Sequence, residues 1–307
     1  MNSPVQSSIL LLLRYARPWS LLAGGGTYLL GAVIAKYLGY GLQSVNFWVG
    51  LLLVILLLLS SYLLKAYYDL IDADSPLRRM QKNLDDEDVQ AAGKLSHQAV
   101  LLMAFTVLTA GAAITVLLFA QGALPFPAMM ILGLALACGF FYGVPPLRLV
   151  YNGYGELSEG VLIAGLLPAL GFLLQTGDLH RMLPMFSFPL LAFYLAMRLA
   201  QSLENYTYEQ KLAHRTLILQ LGWARGMSLH NFLVLGGYLL LGAAAVFGLP
   251  WPLTWPGLLT LPLGIFQVIQ ISQIAVGAKP AWGLLRITSA ATFAVTVYLI
   301  IWAVWTG

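Results

Sequence analysis

Residues 47–74 read FWVGLLLVILLLLSSYLLKAYYDLIDAD. An apolar run close to the ~20 residues that cross a bilayer gives way, within a few positions, to Lys65, Asp69, Asp72 and Asp74. A membrane helix that ends by presenting carboxylates on its own last turns sets both the fold class and the place to look for chemistry. The rest of the chain agrees on the class. Hydrophobic residues make up 60% of 307 positions and charged residues 9%, with a mean hydropathy of +0.81; a soluble domain carries roughly 25% charge.

Similar runs recur at 18–39, 98–121, 124–143, 157–176, 183–203, 227–249, 254–277 and 285–306. With 47–70 they predict an all-α integral membrane protein of nine spans. Met1–Ser8 is polar without a basic start, so no cleavable signal peptide is expected. Cys138 is alone and forms no internal disulfide. With nine spans, all of the 16 lysines and arginines except Lys36 and Arg181 fall on the side of the N-terminus. The positive-inside rule makes that side cytoplasmic, the cell inner membrane being the expected location. Of 12 acids only Asp178 lies opposite. The long polar loops, 71–97 and 204–226, are therefore cytoplasmic caps, and chemistry belongs at that end. The basic pI follows from the same asymmetry, so no nucleic-acid partner is implied.

Continued as a helix, 47–74 places Lys65, Asp69 and Asp72 at i, i+4 and i+7 on one face. Two carboxylates there suit a hard cation such as Mg²⁺, which takes oxygen ligands and shares them with substrate phosphates. The plainer alternative is a solvated helix end in which Lys65 and Asp69 form an ordinary pair. A second helix end, MRLAQSLENYTYEQKLAHRTLILQLG at 197–222, offers Asn205 and Glu209 at i, i+4, followed by Lys211, His214 and Arg215. Two such ends on one side can clamp a metal and a diphosphate between them.

Five segments carry a resemblance. YARPWSLLAGGGTYLLG at 15–31, YYDLIDAD at 67–74, AGKLSHQAV at 92–100, YGVPPLRLVYNGYGELSEG at 142–160 and HRTLILQLG at 214–222 resemble, in order, the motifs of the UbiA superfamily of intramembrane prenyltransferases. The last two are most similar to the branch that prenylates dihydroxynaphthoate in menaquinone synthesis. The resemblance implies nine helices around a central cavity, as one domain of two loosely repeated halves, roughly 15–145 and 146–307. It implies transfer of an isoprenoid from its diphosphate to a lipophilic acceptor, aromatic or quinone precursor, within the lipid. Asp69, Asp72, Asp74 and Glu209 would then hold Mg²⁺, with Asn205 facing them. Lys65, Arg148, Lys211 and Arg215 would hold the diphosphate. Tyr68, Tyr142 and Tyr206 stand near these helix ends, where two roles are open to them: shielding an allylic cation by cation–π contact, or ordinary packing.

The departures are specific. The family motif begins Asn-Asp where this chain has Lys65 and Ala66; Asn205 and Glu209 stand for aspartates; Glu204 and Asn152 stand for arginines. Two accounts fit: Lys65 replaces part of a metal's charge, or catalysis is lost and the cavity binds a lipid, quinone or pigment or scaffolds a membrane complex. The run LDDEDV at 84–89 reads as a solvated loop. The four histidines lack metal-ligand spacing. GGG at 24–26 reads as a helix-packing element, having no Lys-Ser/Thr after it.

Overall fold

The computed structural model describes residues 15–73, 96–211 and 215–307. Among these residues nine helices are long and apolar enough to span a membrane. They are α1 (Pro18–Tyr37), α2 (Ser44–Ala73), α3 (His97–Ala120), α4 (Phe126–Gly143), α5 (Gly155–Thr176), α6 (Met182–Glu204), α7 (Trp223–Val246), α8 (Trp251–Ala275) and α9 (Trp282–Thr306). The 84–89 run, Asp74 and His214 lie outside the described residues.

Burial orders the bundle. In α5, 78% of the most apolar window is buried, against 17% in α3, so α5 is the axis and α3 the rim. Glycine lets α1 reach that axis: a Cβ on Gly31 would sit 1.9 Å from the Pro168 carbonyl oxygen, and one on Gly171 2.2 Å from that of Tyr28. Lipid tails are as apolar as leucine, so close backbone approach, not water exclusion, holds such helices together.

Two spans are broken, each at a proline. In α5 the stretch Val161–Leu166 widens to a π-helix just before Pro168. Proline lacks an N–H and its ring collides with the carbonyl four residues back; one wider turn relieves both. In α8 the helix stops at Leu258 and restarts at Leu261–Pro262. At the break the Thr260 carbonyl accepts from the Tyr238 hydroxyl at 2.7 Å, and the Thr260 hydroxyl meets that of Thr296 at 2.8 Å. Gln267 donates to the Thr292 hydroxyl at 2.5 Å. These polar contacts stitch α7, α8 and α9 together inside the bilayer. The continuous 254–277 span expected from hydropathy missed this break.

With helices alternating in direction, the end of α2, the loop 144–154 and the segments 205–211 and 215–222 share one end of the bundle. Most of the charge sits there. A separate groove of about 290 Å³ lies on the opposite flank of α2, between α3 and α4, lined by Leu57, Ser60, Leu64, Leu108 and Phe140 among others. It is apolar and separate from the charged end.

Candidate functional site

The helical period brings Lys65, Asp69 and Asp72 to one face of α2, and the loop after α4 brings Arg148 to meet them. Close packing sets that approach: a Cβ on Gly143 would lie 2.5 Å from the Lys65 Cα. The Lys65 Nζ donates to Asp69 Oδ2 at 2.5 Å. Arg148 Nη2 donates to Asp69 Oδ1 at 2.9 Å, as does the Tyr151 hydroxyl. The other guanidinium arm, Nη1, is paired with Asp72. Lys65 and Arg148 both lie over the Tyr151 ring, 5.3 and 4.9 Å from its centre. Burial opposes the Arg148 charge, but its bonds to Asp72 and Asp69 outweigh that and raise its pKa above the usual arginine value.

One turn below, and deeper in the bundle, is a second group. The Glu159 side chain is 2% exposed and sits between Arg17 Nη1 and Arg198 Nε, each at 3.2 Å. The Tyr62 and Ser20 hydroxyls donate to its Oε1 at 2.9 and 3.2 Å, and the Tyr142 hydroxyl to Oε2 at 3.2 Å. Arg17 also donates to the Tyr142 hydroxyl at 2.9 Å. A carboxylate taken out of water costs several kcal/mol unless paired and hydrogen-bonded; this one has two cations and three hydroxyls. Beside it Glu156 Oε1 accepts from Ser202 at 3.1 Å.

Backbone strain marks the same two levels. Among the described residues the non-glycine positions with positive φ are Arg17 at 49° and Arg148 at 40°. The left-handed region costs a residue with a Cβ roughly 1–2 kcal/mol, and Arg17 also precedes a proline. Such strain persists where surrounding contacts over-determine it, and it gathers at functional sites. Unpartnered polar atoms gather there too. Arg148 Nε, Glu156 Oε2, the Tyr194 hydroxyl and Arg198 Nε are buried without a hydrogen bond; Arg198 Nε is close to Glu159 but poorly aligned.

The other expected residues are placed as follows. Glu209 accepts from the Thr216 hydroxyl at 2.7 Å. Burial raises its pKa, the Thr216 bond opposes this, and the Glu156 charge adds to it. Tyr142 lines the deep group. Asn205 is exposed and closes α6 through its backbone. Arg215 is exposed, its N–H donating to the Tyr151 carbonyl at 3.1 Å. Tyr68 packs with Tyr67 against the α2–α3 cluster of Leu63, Ala66, Val100 and Ala104, and Tyr206 stacks edge-on against Trp223; neither is brought to the ion pairs. Glu204 pairs with Arg286 at 3.5 Å, and Asn152 donates to the Leu147 carbonyl. Asp74 and the Lys211 side chain are outside the described residues. Sequence reading missed Arg17, Tyr62, Tyr151, Glu156, Glu159 and Arg198. Glu159 and Arg198 lie within apolar spans, where an ionisable residue is a functional signal by default.

Among the described residues no three His, Cys, Asp or Glu side chains come together as a metal cage. Mg²⁺ commonly needs only one or two carboxylates plus substrate phosphates. Asp69 and Asp72 meet that requirement, and the ammonium of Lys65 and guanidinium of Arg148 stand where a cation would.

No protein-family model and no curated protein sequence matches the chain. Solved structures do. A UbiA homologue from Archaeoglobus fulgidus, bound to GPP and Mg²⁺, superposes with a TM-score of 0.66 at 16% identity over 94% of this chain and 99% of that one. The apo UbiA homologue from Aeropyrum pernix K1 gives 0.64 at 15% identity, covering 93% and 96%. A digeranylgeranylglyceryl phosphate synthase structure gives 0.63 at 12% identity, covering 100% and 99%. The chain is an all-α integral membrane protein, and its nine-span bundle has the fold of the UbiA homologues.

Proposed function

We propose that the protein is a UbiA-superfamily prenyltransferase, moving an isoprenoid from an allylic diphosphate to a lipophilic acceptor inside the membrane. The observation that carries this reading is Arg148: held in a left-handed backbone, it bridges Asp69 and Asp72 above the ion cluster of Arg17, Glu159, Arg198 and tyrosines. A charged mouth at the end of an apolar helix bundle suits a substrate with a polyanionic head and an apolar tail.

In this reading Lys65 and Arg148 hold the diphosphate, and Asp69 and Asp72 would hold Mg²⁺. The metal would supply Lewis-acid neutralisation of the departing diphosphate. The bond between the allylic carbon and the bridging oxygen breaks, and its electron pair leaves with the diphosphate. Lys65 and Arg148 stabilise that charge as it develops, the term that usually dominates such catalysis. Below them the Tyr142 ring offers a cation–π surface to the allyl fragment, and burial keeps water from trapping it; Glu159 is already neutralised by Arg17 and Arg198, and Arg17 covers the Tyr62 ring. The acceptor then forms the new bond and gives up a proton. An aromatic or quinone precursor has the required nucleophilic carbon, and dihydroxynaphthoate is the first compound to test.

The charged end is proposed to face the cytoplasm on the strength of the Lys and Arg asymmetry; a reporter fused after Gly307 is expected on the outer side, and finding it on the inside would reverse the assignment. For activity, purified protein in lipid nanodiscs is incubated with dimethylallyl, geranyl and longer diphosphates, Mg²⁺ and an acceptor panel. Mass spectrometry is expected to find a prenylated acceptor with equimolar diphosphate release. No release from any donor would leave the bundle as a lipid-binding or assembly module.

A further inference from the structure

The mouth of the site is already satisfied by its own side chains. Both oxygens of Asp69 are taken: Oδ2 by Lys65 at 2.5 Å, and Oδ1 by Arg148 and Tyr151 at 2.9 Å each. Asp72 is held by the second arm of the same guanidinium. The quartet Lys65, Asp69, Asp72 and Arg148 has no formal net charge. Its two cations are largely shielded, with side chains 21% and 17% exposed.

We infer that this quartet is a latch that exchanges partners, so that the site takes a divalent cation and a diphosphate together and neither well alone. The inference rests on the reading of the donor as an allylic diphosphate. Consider the divalent cation first. To take both oxygens of Asp69 and the paired oxygen of Asp72 it must displace Lys65 and Arg148, leaving two shielded cations without counter-ions beside a divalent one. A diphosphate alone meets the converse problem. It recruits Lys65 and Arg148 and strands Asp69 and Asp72 facing its own negative charge. Stranding one member of a shielded, hydrogen-bonded charge pair is the expensive part of breaking it. When both arrive, every charge keeps an opposite: carboxylates with metal, cations with phosphate. The lysine at position 65 matters here because it closes the pair on Asp69 Oδ2, the oxygen that Arg148 does not reach. The buried Arg148 Nε, without a hydrogen bond in the latched state, is a further donor in reach of the arriving head.

Coupling of this kind is reciprocal. Mg²⁺ is expected to tighten binding of geranyl diphosphate at least tenfold, and geranyl diphosphate to tighten Mg²⁺ by the same factor. Isothermal titration of the full chain in nanodiscs measures each alone, diphosphate alone being measured in EDTA, and then both together. Two variants carry opposite signatures. Lys65→Met opens half of the latch and is expected to strengthen binding of Mg²⁺ alone by about fivefold or more. Asp69→Asn releases Lys65 and is expected to strengthen metal-free binding of geranyl diphosphate while weakening the Mg²⁺-dependent part. An open, metal-loaded site would show the reverse: Mg²⁺ alone binding the unmodified chain as tightly as with diphosphate, and Lys65→Met changing nothing. That result overturns the latch and leaves the donor assignment standing. No binding of geranyl diphosphate even with Mg²⁺ overturns the donor assignment and the latch with it.

Discussion

Replacing Glu159 with alanine is expected to destabilise the bundle by roughly 3–5 kcal/mol, the usual result of removing one partner from a buried ion cluster. Arg17 and Arg198 would be left facing each other across a space that had held a carboxylate, both at 3.2 Å from it. The Tyr62, Tyr142 and Ser20 hydroxyls would lose their acceptor as well. Glu159→Gln keeps the shape and one acceptor oxygen but removes the charge, so it is expected to fall between. Size is not the cause, and the compensated triple change Arg17→Met, Glu159→Leu, Arg198→Met should recover most of the loss, since buried ion clusters are often replaceable as a set. Thermal unfolding in one detergent measures all three. An unchanged midpoint for Glu159→Ala would mean the chamber admits enough water to solvate two guanidiniums.

The second large effect is on binding. Arg148→Met is expected to weaken Mg²⁺-dependent binding of geranyl diphosphate about 100-fold, or ~2.7 kcal/mol, within the range seen when one member of a shielded charge pair is truncated. Arg148 spans two carboxylates with its two arms, a geometry that a lysine cannot reproduce. Arg148→Lys is therefore expected to lose a good part of the affinity despite keeping its charge. Equal binding by all three proteins would place the diphosphate elsewhere.

How much of this was legible beforehand depends on range. The nine spans follow from local hydropathy, and the face shared by Lys65, Asp69 and Asp72 follows from the helical period. Both are properties of short windows. The break in α8 is equally local, since Pro262 announces it, but a hydropathy window averages over one missing hydrogen bond. The Glu159 cluster could not be read that way. Ser20 and Tyr62 reach Glu159 across 139 and 97 residues, and only packing of α1, α2, α4, α5 and α6 joins them. A tally of charges by side of the membrane hides that Glu159 and Arg198 sit inside apolar spans. Tyr68 and Tyr206 illustrate the opposite error. Proximity in sequence to Asp69 and Asn205 placed them near the site, while packing against α3 and Trp223 decided their direction.

The most direct test of the central claim is a structure of the protein with Mg²⁺ and a non-ionising thio analogue of geranyl diphosphate. The expected result has phosphate oxygens on Lys65 and Arg148, the Asp69 carboxylate released from Lys65, and the geranyl chain leading toward Tyr62 and Tyr142. Intact Lys65–Asp69 and Arg148–Asp72 pairs at saturating ligand, with the analogue bound elsewhere, would contradict it.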